Sequence, residues 1–522
     1  MKKIIILTAA LFVGTVLMAY LYFSRLNTEN NAKDLALQSA TNNAALVFSF
    51  QNDKGFYEIA ESQQLLQQAL GTEKVALLQQ IKKELIDNNK LNSFIQNQQI
   101  YISVLPDADK TLNFLFTVQI DKDRNVNQFQ ELLKKKTSTV KNEKEVYIVR
   151  FSDSLSLFIG IQHRVITAST SLKLIQEAGI RLEDNPFTAY IKENNQQNKS
   201  ALARVYINFN KAPFLLKNII AGNLNGELSI FDQQDSYAAL NYNFSKERIL
   251  FNGSTEIKGT KNYLKLFENT ASQNISITNI LPDKTANYAV YAIDNYPTWL
   301  KKLTQWLEQI NELDKSKAVI AEIKNEYRID LNEVFSSYVK NQFITFQLNT
   351  TEKLGAVALN NGEKVKQLLL DVSADYNEEI KIFKSAGILY NFFGEPFKKF
   401  TRPYYTIIDN YLIVANNAST VQSFLNDYKN NRLLLQNQAY LDALNQISTT
   451  ANVSFYINTK NSGDIFRNNI LLPYYKHLRA DSGLKSFDTF CYQMSAEKNK
   501  FNTNILLNKY LKPEIPDSLS NR

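Results

Sequence analysis

The chain has 522 residues, 44% of them hydrophobic and 21% charged, so it holds enough apolar material for more than one folded domain. One cysteine excludes an intrachain disulfide, and two histidines leave little material for a histidine-rich zinc site or a histidine-dependent catalytic triad. The net charge of +8 is spread along the chain, so no nucleic acid partner is predicted.

The N-terminus joins Met1-Lys2-Lys3 to an uncharged, mostly apolar run, Ile4–Phe23. A helix of about 20 residues is about 30 Å long, which matches the core of a bilayer. The pattern predicts a signal-anchor transmembrane helix over residues 1–25, with the lysines on the cytoplasmic side. A signal peptide cleaved near Ala19 is the alternative. The residues expected to span the membrane include Ile4, Leu7, Leu11, Val16, Leu21 and Phe23.

After a polar linker at 26–40, apolar runs alternate with turn residues and with helical periodicity. Leu78, Ile81 and Leu85 share one helix face, and the apolar stripe from Trp299 to Leu313 predicts a second helix whose tryptophans pack in a core. Strands are predicted at 98–105, 112–120, 200–209, 237–244, 248–257, 490–495 and 501–507.

Segments about 250 residues apart resemble each other in the same order along the chain. The shared order predicts a duplication. We therefore expect an α+β fold in which the transmembrane helix precedes two homologous domains, 41–283 and 284–512, and a disordered tail at 513–522. Each domain is expected to be an antiparallel sheet with helices packed on one face. The matched segments are Ala203–Asn208 with Val453–Asn458, Val165–Ala168 with Leu412–Ala415, and Ile100–Ile102 with Phe343–Thr345.

Chemical motifs are scarce. Cys491 lies in an apolar stretch and is expected to be a buried small side chain. Two SxxK patterns begin at Ser482 and Ser495, but they lack the companion strands of penicillin-binding enzymes. No catalytic, metal-binding or cofactor-binding residue is therefore predicted. The duplicated motif offers Tyr206, Asn208, Tyr456 and Asn458 as possible ligand contacts, although an Asn at a strand end commonly bonds its own backbone.

The apolar N-terminus, the duplicated Tyr-Ile-Asn strand and the scarcity of His and Cys resemble a family of membrane-anchored bacterial envelope proteins of Bacteroidetes type. The resemblance implies a single-pass protein of the inner membrane with a periplasmic bulk, and it implies no activity. We expect a non-catalytic binding protein whose partner is the membrane, an envelope protein, a lipid or a cell-wall polymer, held for example in a cleft between the repeats. The alternatives are an envelope hydrolase with a carboxylate or Ser/Lys site and a soluble extracellular carrier.

Overall fold

The fold is that of a computed structural model, which describes residues 34–107, 111–135, 137–141, 145–152, 155–178, 185–195, 201–222 and 235–509. Strands of the first half of the chain are β1 (Leu46–Gln51), β2 (Gln99–Pro106), β3 (Leu112–Gln119), β4 (Ser138–Lys141), β5 (Glu145–Arg150), β6 (Ser156–Gln162), β7 (Val165–Ser169), β8 (Ala203–Asn208), β9 (Ser236–Phe244), β10 (Arg248–Ile257) and β11 (Gln273–Asn274). Strands of the second half are β12 (Thr285–Ala292), β13 (Val339–Leu348), β14 (Lys353–Leu359), β15 (Ser373–Asp375), β16 (Lys381–Phe383), β17 (Tyr404–Ile408), β18 (Tyr411–Ala415), β19 (Thr450–Ala451), β20 (Val453–Asn458), β21 (Thr489–Glu497) and β22 (Lys500–Asn508).

Helices lie between the strands. Those of the first half are α1 (Leu35–Thr41), α2 (Lys54–Ser62), α3 (Gln64–Leu70), α4 (Thr72–Ile81), α5 (Asn89–Asn92), α6 (Val126–Lys134), α7 (Leu172–Glu177), α8 (Pro186–Asn195) and α9 (Ala212–Leu216). Those of the second half are α10 (Tyr296–Gln309), α11 (Leu313–Tyr327), α12 (Leu331–Tyr338), α13 (Gly362–Leu368), α14 (Ile388–Phe393), α15 (Ala418–Lys429), α16 (Gln438–Leu444), α17 (Gly463–Asn469) and α18 (Leu472–Arg479).

Twenty strands form one antiparallel sheet. The first half contributes the order β4-β5-β6-β7-β3-β2-β1-β8-β9-β10. The second half contributes β15-β16-β17-β18-β14-β13-β12-β20-β21-β22, which is the same connectivity. The halves join where β10 pairs with β22, and we call this pairing the seam.

The seam contradicts the predicted fold class. The sequence predicts two domains with separate sheets, whereas backbone hydrogen bonds run across the seam and make one sheet of both halves. The predicted helices lie on one face only, but buried helical side chains cover both faces in each half. In the second half, Trp299 of α10 packs on one face and Phe424 of α15 on the other. In the first half, Leu77 of α4 packs on one face of the sheet and Tyr190 of α8 packs on the other.

The membrane-related predictions are also contradicted. Within the described residues, no helix has the length and apolar character needed to cross a bilayer. This finding opposes the predicted transmembrane helix and the single-pass inner-membrane location. The predicted spanning residues, Ile4, Leu7, Leu11, Val16, Leu21 and Phe23, themselves lie outside the described residues, as does the predicted tail at 513–522.

Pairing at the seam brings equivalent positions of the two halves together. Asn252 of β10 and Asn504 of β22 occupy corresponding places in their hairpins, and they are register partners of each other. Ile220 and Ile470 also form a bridge, and their separation of 250 residues equals that of Tyr206 and Tyr456. The two halves are therefore related by a pseudo-twofold axis that passes through the seam.

Locally specified elements agree with the sequence predictions. The strands expected at 98–105 and 112–120 are β2 and β3. The hairpins predicted near the C-terminal end of each half of the chain are β9–β10 and β21–β22. The apolar stripe from Trp299 is confirmed as a helix, but α10 ends at Gln309 because Asn311 takes a left-handed conformation with φ of 61°. The stripe therefore continues in a second helix, α11.

Helix α1 lies at the end of the segment predicted as a linker, and its apolar side chains are buried. Asp34 caps it by accepting a hydrogen bond from the Leu37 backbone N–H at 2.8 Å. The same carboxyl group accepts a hydrogen bond from the Tyr101 hydroxyl at 2.5 Å. Burial raises the pKa of Asp34, and these hydrogen bonds oppose that shift only in part.

An ion pair with a buried carboxylate lies beside the predicted domain boundary. Lys284 places Nζ 2.6 Å from a carboxylate oxygen of Asp427, which is 6% exposed. Arg432 approaches the other oxygen at 2.7 Å. Asp427 belongs to α15 and Lys284 precedes β12, so the pair attaches a helix of the second half to the start of its sheet. The domain boundary itself stays a prediction.

Candidate ligand-binding cavity

An apolar cavity of about 540 Å³ lies between the first-half sheet and the helices α2, α3 and α4. Its walls come from eight neighbouring strands, from β7 through β3, β2, β1, β8, β9 and β10 to β22. We call the helices α2–α4 and the π-helical turn Lys82–Ile86 the lid. The main apolar lining residues are Leu46, Phe48, Phe50, Ile102, Val104, Phe114, Phe116, Ile207, Phe251, Ile505 and Leu507 from strands, and Phe56, Leu66, Val75, Leu78, Leu85 and Ile86 from the lid.

Local signals in the sequence begin and end the lid helices. Asp53 caps α2 by accepting a hydrogen bond from the Phe56 backbone N–H at 2.8 Å. Gly71, with φ of 83°, ends α3 and starts α4, a backbone conformation that favours glycine. The following π-helical turn shifts the side-chain spacing, so Lys82, Leu85 and Ile86 all reach the cavity wall.

The second half of the chain holds the lid against the sheet from outside. Nε2 of His477 in α18 lies 3.0 Å from the backbone carbonyl oxygen of Ala69, in α3. Nearby, the Ser486 hydroxyl donates a hydrogen bond to the side chain of Gln68 at 2.9 Å. A Cβ at Gly71 would come within 2.9 Å of the His477 ring, so glycine is required there for contact as well as for conformation.

The same face of the second half is filled. Tyr206 pairs with Val47 in the first half, and Tyr456 pairs with Tyr288 at the equivalent place in the second half. When the strand pairing is followed across the next two strands of each half, Phe116 and Gly355 occupy equivalent positions. Gly355 is fully covered, and a Cβ there would come within 2.8 Å of the Phe397 ring and 3.0 Å of the Phe400 ring. The side chain of Phe116, in contrast, is half-buried and lines the cavity.

The difference arises from one connection. In the second half, 384–403 join β16 to β17 and bring α14 and a short 3-10 helix, whose phenylalanines enter the core with the two tryptophans of α10. In the first half, the corresponding connection from β5 to β6 spans only 151–155. Within its described residues, the first half therefore has no counterpart of the aromatic insertion, and these residues leave the space above the sheet unfilled.

Polar groups on the cavity wall are few and mostly satisfied. Lys82 lies 3.1 Å from a carboxylate oxygen of Glu61 and 3.2 Å from one of Asp87. The hydrogen bond with Glu61 is the main reason why the pKa of Lys82 is raised. The Tyr57 hydroxyl donates a hydrogen bond to Asn52 at 2.8 Å, and burial raises its pKa, so it stays protonated.

The candidate residues of the duplicated motif lie away from this cavity and have structural contacts. Tyr206 and Tyr456 are fully buried on the opposite face of the sheet, where Tyr456 stacks on Tyr288 with ring centroids 4.9 Å apart. Asn208 accepts a hydrogen bond from the Asn210 backbone N–H at 3.1 Å, and Asn458 accepts one from that of Asn461. In both cases an Asn at a strand end bonds the backbone of the turn that follows it, as strand-end Asn residues commonly do. A ligand-contacting role for the four residues stays a prediction.

The residues considered for chemistry are buried or have structural contacts. Cys491 is buried, and burial raises the pKa of its thiol to about 12, which keeps it protonated at neutral pH. Ser495 donates a hydrogen bond to the Thr450 carbonyl oxygen at 3.0 Å, and Lys485 pairs with Asp481 at 2.7 Å. In the part of the chain that the structure describes, no three His, Cys, Asp or Glu side chains are grouped to hold a metal ion.

A second depression of about 700 Å³ lies over the seam on the opposite face. It corresponds to the cleft expected between the repeats, and its floor is polar, with Asn241, Asn252 and Asn504 in one row across the strands. It offers little apolar surface for a ligand to bury. The apolar cavity is therefore the stronger candidate for binding.

Sequence reasoning missed the apolar cavity. Its strands carry an ordinary signal of apolar residues at alternate positions, such as Phe48 and Phe50, and the filled second half shows the same alternation. The available signal was the length difference between 151–155 and 384–403, and it can be read only after the two halves are aligned strand by strand.

Comparison of the chain with models of protein families, with curated proteins and with solved structures finds no match.

Proposed function

We propose that this protein is a non-catalytic binding protein that holds a lipid-like, apolar molecule in the cavity beneath the lid. The observation that carries the proposal is the contrast between two related halves: one is filled by an aromatic insertion, and the other is left unfilled by the residues that the structure describes. A volume of about 540 Å³ lies in the range of small-molecule sites, roughly 300–1,000 Å³.

Energetics support an occupant. The wall of the cavity is almost entirely apolar, and such a surface is stabilised more by contact with hydrocarbon than by contact with water. Water gains little there because it finds few hydrogen-bonding partners on an apolar wall. A hydrocarbon chain, in contrast, gains about 0.8 kcal/mol for each methylene group that it buries.

The test is a titration of the full chain with Nile red, a neutral dye that fluoresces in apolar surroundings. Ala60 and Ala69 line the cavity from the lid, so the double variant Ala60→Phe/Ala69→Phe would fill it. The matched control, Ala318→Phe/Ala321→Phe, makes the same changes at exposed positions of α11.

We expect saturable binding by the wild type and the control, and a loss of at least tenfold in affinity for the cavity double variant. All three proteins share the apolar run Ile4–Phe23, so dye bound there would not distinguish them. Absence of saturable binding in the wild type, or unchanged binding in the cavity double variant, would show that the proposal is wrong.

A further inference from the structure

The charges around the cavity are distributed unevenly. Lys82 reaches the wall beside Glu61 and Asp87, so its positive charge is neutralised by two carboxylates. An anion would therefore gain little by approaching Lys82. A cation that is free to receive an anionic group has to be sought elsewhere along the lid.

Lys74 is such a cation. It lies in the first turn of α4, next to the lining residue Val75, and its Nζ is 5.3 Å from the centroid of the Phe114 ring, which also lines the cavity. Its side chain is half-buried, and among the described residues it forms no ion pair. Burial lowers the pKa of Lys74, while the carboxylates of Glu73 and Asp107 oppose that shift from a distance.

The position of Lys74 along the cavity is informative. Phe114 belongs to β3, which is the second strand from one end of the row of eight that forms the wall. At the other end, near the seam, the wall consists of apolar side chains such as Phe251, Ile505 and Leu507. With strands about 4.8 Å apart, the eight strands give a path of roughly 30 Å. The cavity is thus long. Near one end lies a cation that has no ion-pair partner among the described residues, and the other end is hydrocarbon.

We propose that the ligand is a single-chain fatty carboxylate whose head group binds Lys74 and whose chain runs along the sheet towards the seam. This inference rests on the function proposed above and names the chemical class of its ligand. The ammonium of Lys74 would donate hydrogen bonds to the carboxylate, and its contact with the Phe114 ring would help to hold it at this end of the cavity. The carboxylate would in turn supply a counter-ion for Lys74, which forms no ion pair with any residue that the structure describes.

The test compares hexadecanoate with hexadecan-1-ol as competitors of Nile red on the full chain, below the concentrations at which either aggregates. The variant Lys74→Met keeps the length of the side chain and removes its charge. Lys83→Met is the matched control, because Lys83 is exposed on the same lid. Lys74→Arg restores a cation at the same place.

We expect wild type to bind hexadecanoate about tenfold more tightly than hexadecan-1-ol, since a hydrogen bond to a charged group commonly contributes that much. Lys74→Met should abolish this preference, whereas Lys83→Met and Lys74→Arg should keep it. Binding of the neutral dye should be the same in all variants, which shows that the cavity is intact.

Two results separate the claims. If acid and alcohol bind equally to wild type, or if Lys74→Met keeps the preference, the head-group assignment is wrong while binding in the cavity stands. If neither competitor displaces the dye and the filled variant Ala60→Phe/Ala69→Phe still binds it, the proposed function is wrong as well.

Discussion

Replacing one alanine by phenylalanine in each half of the chain should change the free energy of unfolding in opposite directions. Ala60 lies in the lid and faces the open cavity. Ala289 lies in β12, is fully buried in the filled half, and is flanked by Thr345 and Phe455. By register, Ala289 occupies the place of Phe48, so Ala289→Phe introduces a side chain that the first half accommodates and the second half does not.

The expected magnitudes follow from the surroundings of each site. Burying a phenyl group in the cavity contributes about 1.5–3 kcal/mol. Loss of helix propensity and of side-chain freedom at Ala60 opposes this by roughly 1 kcal/mol. The net expectation for Ala60→Phe is a gain of about 1 kcal/mol. Ala289→Phe has no space to enter, and overpacking of a dense core costs about 1–3 kcal/mol.

The assay is urea unfolding of delipidated full chain, followed by far-UV circular dichroism and by tryptophan fluorescence on the same samples. Both tryptophans, Trp299 and Trp306, belong to the second-half core, so fluorescence reports on that half. Ala289→Phe should lower the midpoint of both signals, and Ala60→Phe should raise the midpoint seen by circular dichroism. If Ala60→Phe destabilises as much as Ala289→Phe, the space beneath the lid is not available and the argument from the two halves is refuted.

Three further outcomes are expected. Asp427→Ala should lower the free energy of unfolding by about 1.5–3 kcal/mol in urea titrations, because it removes the buried carboxylate that pairs with Lys284 and Arg432. Cys491 should resist iodoacetamide at pH 8 in the folded protein and react fully in denaturant, since burial raises its pKa to about 12; rapid labelling of the native protein would contradict its placement. Because burial raises the folded-state pKa of Asp34, its ionisation opposes folding above the unfolded value of about 3.9, so stability relative to Asp34→Asn should fall as the pH rises from 4 to 7; a constant difference in melting temperature would refute this.

The sequence predicted what local patterns specify. The hairpin β9–β10 follows from alternating apolar residues and a short turn at Ser245–Glu247, and both are local in the chain. The seam is different, since Asn252 and Asn504 meet across 252 residues and their strands carry no sign of which edge they will join. One sheet was therefore predicted as two, although the alternation within each strand was correct.

The cavity escaped prediction for a related reason. Periodicity tells which face of a strand is apolar, but it does not tell what covers that face. Phe116 and Gly355 occupy equivalent positions, and the larger residue lines the open cavity. Whether a cavity forms depends on whether another segment covers the apolar face of the sheet, as the segment that carries Phe397 covers Gly355. Such a segment is distant in sequence from the strands that it covers.

A duplicated fold can separate stability from binding. The second half contains the dense aromatic core, and its excursion through α17 and α18 reaches across to the lid, where His477 contacts Ala69. A half with an unfilled face would be poorly stable alone, whereas the seam adds a full strand pairing from β22 to its last strand, β10. The filled half thus supports the open one, and this support lets the first half keep a cavity that a small domain would otherwise lose by collapse.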